Sequence, residues 1–210
     1  SAVHSNGDCL EAEKLYRECL EARKKMLGEM HPHTLSTLNN LAIAVYSLGN
    51  YAEAEKLFRE CWEAYKKTLG ETHGETLGSL NGWASVVSDK GNYAEAGELF
   101  RECLEAYRET FGEKNPYTLS CLNGFAQNCL KQNEVTRSLE LYKKCVELSE
   151  QHFGENHPFV LSCKGGFSEC LCSDGKFQEG LACIQAVLEA QVKLQGEEHP
   201  ETMRSVHIQG

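Results

Sequence analysis

The chain has 210 residues, with 21 lysines and arginines against 31 aspartates and glutamates, for a formal net charge of −10. That balance argues against nucleic acid or an anionic membrane surface as the main partner and favours a neutral or basic protein. No apolar run approaches the roughly 20 residues that a bilayer-spanning helix requires. The 11 cysteines, an odd total with no signal peptide, read as reduced thiols of a cytoplasmic protein rather than a disulfide framework.

In chain order, Ser1 to Gly7 reads as a disordered leader. The chain then repeats itself every 42 residues: Gly28, Gly70, Gly112, Gly154 and Gly196 share one register, and Gly49, Gly91, Asn133 and Gly175 share another. A period of this length marks stacked supersecondary units, each too small to bury its apolar face alone. Within a unit, Leu35, Leu38, Leu41, Ala42 and Val45 recur at the spacing of an amphipathic helix, here helix A. His31-Pro32, Asn115-Pro116, His157-Pro158 and His199-Pro200 open it, and the histidines at His31, His73, His157 and His199 are expected to cap it. Gly49 and its equivalents close it, Asn133 being the residue best able to replace glycine in a left-handed helix stop. Helix B follows, with Tyr51, Ala54, Phe58, Cys61, Trp62, Tyr65 and Leu69 along one stripe. Its wet face carries acid-first pairs four apart, such as Glu55 with Arg59 and Glu63 with Lys67.

Carried along the chain, the pattern predicts an unpaired helix B over 8–27 and helix pairs over 31–69, 73–111, 115–153 and 157–195, all within an array spanning 8–198. A truncated further repeat follows over 199–210. The ends look like those of a segment cut from a longer array and are expected to expose apolar surface through which copies could associate end to end.

The string Asn39-Asn40-Leu41-Ala42, followed by Tyr46, Gly49, Tyr51, Glu53-Ala54-Glu55, Leu57-Phe58 and Leu69-Gly70, resembles the tetratricopeptide repeat in the 42-residue form typical of kinesin light chains and nephrocystin-like proteins. The resemblance covers nearly the whole chain. It implies an all-α fold, a right-handed superhelical solenoid of antiparallel helix pairs in which the A helices line a concave groove.

The resemblance places the column Asn39, Asn81 and Asn123 toward that groove, where a carboxamide can hydrogen-bond either side of an extended peptide backbone. The alternative is that these asparagines brace neighbouring helices. In the same register Tyr46, Ser85, Gln127 and Lys131 are further peptide-binding candidates on a mostly neutral lining that also includes Ile43 and Asp89. Beside the asparagines run Asn40, Gly82, Gly124 and Gly166, and glycine inside a helix costs roughly 1 kcal/mol relative to alanine. Either close packing of adjacent A helices or close approach of a ligand backbone offsets that cost. The fourth pair, with Lys164, Gly165, Gly166 and Gly180, is the weakest link of the stack or a unit held by a ligand or a neighbour.

Cys19, Cys61, Cys103 and Cys145 share one register, but stacked helices hold such positions about 8 to 10 Å apart or more, too far for one zinc ion. They read as small core residues, and Cys9 alone is a candidate for an exposed reactive thiol. No zinc helix, phosphate loop, nucleophile elbow or calcium loop is present, so neither a catalytic residue, a metal nor a cofactor is expected. The function expected is a non-catalytic scaffold that binds a peptide segment of a partner protein in the groove. The alternatives are a sensing or regulatory segment of a larger signalling NTPase, or a self-stacking structural module.

Overall fold

The structure, a computed structural model, describes residues 2–195, with side chains from 9 to 193. The described residues form nine helices and no strand: α1 (Ala2–Leu27), α2 (Pro32–Ser47), α3 (Tyr51–Leu69), α4 (Gly74–Asp89), α5 (Tyr93–Phe111), α6 (Pro116–Lys131), α7 (Val135–Phe153), α8 (Pro158–Ser173) and α9 (Phe177–Gln195). Helices of 16 residues, the A type, alternate with B helices of 19. This is an all-α helical repeat solenoid of paired helices. The chain divides into two compact units, Ser1–Thr110 and Phe111–Gly210.

The start of α1 differs from expectation. It lies at Ala2, so residues 2–7, read as a leader, continue the helix; no proline interrupts its propagation there. The further repeat expected over 199–210, with His199 and Gly196, lies outside the described residues.

Each helix A is entered through a corner built the same way. The Nδ1 atoms of His31, His73 and His157 each accept the backbone N–H two residues on, at 3.2 Å, and Asn115 does so through Oδ1 at 2.9 Å. These are N-caps, satisfying a donor that the first helical turn leaves free. A second tie was not apparent from the spacing: Thr34, Thr76 and Thr118 donate their hydroxyls to the carbonyls of Gly28, Gly70 and Gly112, at 2.8 Å each. Those glycines hold φ values of 92°, 94° and 83°, which side-chain-bearing residues rarely adopt. At the other end of helix A, Asn133 takes φ 64° where its counterparts are glycine.

In the first unit, Leu35, Leu38, Leu41, Ala42 and Val45 of α2 pack with Ala54, Phe58, Cys61 and Tyr65 of α3 in one core. In the second, Ala126, Tyr142 and Cys170 form one cluster and Leu161, Ile184 and Val187 another. The cysteine register is buried at Cys61, Cys103 and Cys145 and half-buried at Cys19. Cys103 donates to the Leu77 carbonyl at 3.3 Å and Cys145 to that of Leu119 at 3.6 Å, a weak bond an alanine could not make. Cys9 is half-buried rather than exposed.

Two other expectations are corrected. Gly82 and Gly166 answer neither to neighbouring A helices nor to a ligand: a Cβ on Gly82 would sit 2.4 Å from the Phe58 ring, and one on Gly166 2.5 Å from the Tyr142 ring. The aromatic side chain of the preceding helix B fills the space. Gly180 is likewise needed, since a Cβ there would stand 2.6 Å from Cys172 Sγ, whereas Gly165 faces open space. On the helix surface, Glu55 pairs with Lys90 of α4 at 2.5 Å instead of Arg59, and Arg59 pairs with Glu63 at 3.3 Å. The long Lys90 side chain reaches across to α3 and competes for the acid.

Gly82→Ala is expected to destabilise the protein, because overpacking against a buried ring costs about 1 to 3 kcal/mol against a helix-propensity gain of about 1. Gly165→Ala meets no neighbour and is expected to stabilise by up to about 1 kcal/mol. Urea midpoints of the two variants, moving in opposite directions, are the check.

Candidate functional site

The seven candidate residues fall into two groups. Asn39 and Tyr46 of α2 lie in the first unit with Asn81 and Ser85 of α4, while Asn123, Gln127 and Lys131 lie on α6 in the second. Within the first unit the structure ties α2 to α4 through the Tyr46 hydroxyl, which donates to Asp89 Oδ2 at 2.5 Å. The Tyr46 ring also lies 5.8 Å from that of Tyr51. Burial and the Asp89 carboxylate both raise the Tyr46 pKa above its ordinary value of 10.0, since a phenolate would lose solvation and face a negative charge. Tyr46 is therefore a fixed, neutral wall rather than a free donor.

Asn39 and Asn81 occupy equivalent positions and are half-buried. In both, Oδ1 is turned inward and has no hydrogen-bond partner. Rotation of the amide plane exchanges the oxygen with the NH2 group, so the outer edge can present a donor or an acceptor. Ser85 spends its hydroxyl on the Asn81 backbone carbonyl at 3.0 Å. Ile43, one turn beyond Asn39, is 47% exposed and adds an apolar contact surface. On α6, Asn123 is half-buried while Gln127 and Lys131 are exposed, and their four-residue spacing sets all three on one helix face.

Sequence reasoning missed an aromatic pair. Trp62 of α3 and Trp83 of α4 lie 5.6 Å apart between ring centroids, with Arg59 5.8 Å from the Trp83 centroid and Lys66 4.9 Å from that of Trp62. The signal was available in the stripe that contained Trp62, but Trp83 stands where its counterparts are Leu41, Phe125 and Phe167 and reads as core.

No group of three histidine, cysteine or acidic residues able to hold a metal exists among the described residues. Burial raises the Cys61 and Cys170 thiols above their ordinary range and pushes Cys129 up to about 11, which leaves them protonated at neutral pH. Cys170 and Cys172 are turned to different neighbours: Cys170 Sγ lies 2.9 Å from Ser138 Oγ, and Cys172 packs against Gly180. No described helix is long and apolar enough to cross a membrane.

Paired helices repeating in register define a helical-repeat protein. The tetratricopeptide repeat family model matches residues 1–67 and 75–151, and the chain belongs to that family. The fold is typically a non-catalytic protein–protein interaction module. The repeats are of kinesin-light-chain type. A crystal structure of a Podosopora anserina protein assigned as a kinesin light chain, with nearly identical TPR-like repeats, is 25% identical over 91% of this chain and 90% of that one, with a TM-score of 0.73. BtubC (BKLC) from P. vanneervenii is 20% identical over 94% and 78%, with a TM-score of 0.75. Rap protein complexed with Competence and Sporulation Factor is 12% identical, covers 90% of this chain and 50% of that one, and has a TM-score of 0.77. No curated protein sequence matches the chain.

Tyr46→Phe removes one hydrogen bond to a carboxylate and is expected to cost about 1 to 2 kcal/mol at neutral pH. Because the folded-state pKa of Tyr46 lies above 10.0, the stability it contributes is fully present below about pH 10 and is lost as pH rises beyond it. Urea titrations of wild type and variant at pH 7 and pH 10.5 should therefore show a smaller difference between the two at the higher pH.

Proposed function

We propose that the protein is a non-catalytic scaffold that holds an extended segment of a partner protein against its A helices. Asn39 and Asn81 read the main chain in the first unit, and Asn123, Gln127 and Lys131 extend the surface in the second. The observation that carries this reading is the pair of equivalent carboxamides, half-exposed, each with its oxygen inward and unpartnered. With the oxygen turned inward, the outward NH2 group is left to donate to a main-chain carbonyl of a bound segment. An amide that bonds the backbone is indifferent to side-chain sequence, so neighbouring Ile43 and Tyr46 would supply the selectivity. The net charge of −10 favours a neutral or basic segment over nucleic acid. Rap protein, in its complex with Competence and Sporulation Factor, is a protein of this fold with a bound factor, which supports the same use here. With reduced, protonated thiols, the reading also places the protein in the cytoplasm.

Peptides selected on the wild-type protein from a random phage-displayed library provide the probe. The double variant Asn39→Ala/Asn81→Ala is expected to bind the selected peptides about tenfold to thirtyfold more weakly, from two lost hydrogen bonds worth about 1 kcal/mol each, with an unchanged urea midpoint. Undiminished affinity for every selected peptide would remove the amide column from the binding account.

A further inference from the structure

The surface between successive B helices carries a feature that repeats with the chain. Beneath the corner after α1 lies a cleft lined by Lys24, Glu29, Leu35, Leu38, Glu60 and Ala64. Beneath the corner after α3 lies another, lined by Lys66, Glu71, Leu77, Leu80, Glu102 and Ala106, each 42 residues further on. Both have an apolar floor of two leucines from helix A and an alanine from the following helix B. Trp62 adds an aromatic wall to the second cleft.

The rims are acidic. Glu29, Glu60 and Glu63 stand against Lys24 and Lys67 in the first cleft, and Glu71 and Glu102 against Lys66 in the second, so each has one acid in excess. Lys66 is already committed, to Glu71 at 2.8 Å and to the Trp62 ring at 4.9 Å. Beyond the second cleft, α5 exposes Glu95, Glu98, Glu105 and Glu109, of which Glu98 is paired with Arg101. Each cleft also lies at the C-terminal end of a B helix, where the helix dipole is negative and attracts cations. Acid excess, helix ends and the net charge of −10 therefore point the same way.

We propose that these two clefts form a second docking surface, separate from the amide column, for an extended basic segment of a partner protein that seats one apolar side chain in each cleft. The spacing sets the pattern of that segment. The clefts lie one repeat apart, at least one helix-packing distance of roughly 8 to 10 Å, and extended chain advances roughly 3.3 Å per residue, so apolar side chains three or more positions apart, with lysine or arginine between, are needed to meet both clefts. Leucine enters the floor while the cation meets Glu60 or Glu102 at the rim.

The test uses the full chain and two labelled synthetic peptides, four repeats of Leu-Lys-Ser and four of Leu-Glu-Ser, followed by fluorescence polarisation. The lysine peptide is expected to bind and the glutamate peptide at least tenfold more weakly. Glu60→Lys/Glu102→Lys, both at exposed positions, is expected to weaken the lysine peptide at least tenfold with an unchanged circular dichroism melt. Asn39→Ala/Asn81→Ala should leave that binding intact, which separates this surface from the amide column. Equal binding of the two peptides, no binding of the lysine peptide, or a loss with the asparagine variant but not with the charge reversal would each overturn the proposal.

Discussion

The corner that joins each helix B to the next helix A is the constraint on which the remaining architecture depends. Two bonds close it: a cap from His31, His73, Asn115 or His157, and a threonine hydroxyl reaching back to the carbonyl of a left-handed glycine. With the corner fixed, the direction of helix A relative to the helix before it is fixed as well. An aromatic ring of helix B then faces a glycine of the following helix A, Phe58 over Gly82 and Tyr142 over Gly166. The fourth corner, after α7, lacks the threonine and has the buried Val160 in its place, retaining the cap alone.

The two faces of the first unit differ in chemistry for reasons that follow from this geometry. Helix A residues that point away from helix B are mostly neutral, among them Asn39, Ile43, Asn81 and Ser85, with the Tyr46–Asp89 pair the charged exception. Helix B residues that point outward are long and charged, because each can keep its head group in water while its stem covers apolar surface. The charges are not evenly mixed: α5 is dominated by glutamate, so its exposed face carries a negative field.

Much of this was legible in the residues. Fixed spacing of Gly28, Gly70, Gly112 and Gly154 defined the repeat, and the alternation of Leu35, Leu38 and Leu41 with polar positions defined the helix face, because both reflect local backbone rules. What was not legible depends on reach between helices. That Lys90 would take Glu55 from Arg59, that Tyr46 would be held by Asp89, and that rings rather than helices would explain Gly82 and Gly166 are all contacts across 24 to 43 positions. A spacing rule states which residues share a face; it does not state how far a side chain extends from it. The clefts escaped notice for the same reason, since their walls come from three helices.

The ring and its glycine bear on how such a chain can grow. Phe58 precedes Gly82 by 24 positions, and Tyr142 precedes Gly166 by the same number, with a helix B supplying the bulk and the following helix A the gap. A duplication or exchange that begins at a helix A severs the two, leaving a side chain without its recess or a recess without its side chain. One that begins at a helix B carries both. For these two pairs the unit that stays matched is therefore a helix B together with the helix A after it, offset by half a step from the hairpin by which such repeats are usually counted; in the first repeat the equivalent positions are Tyr16 and Asn40, with no glycine.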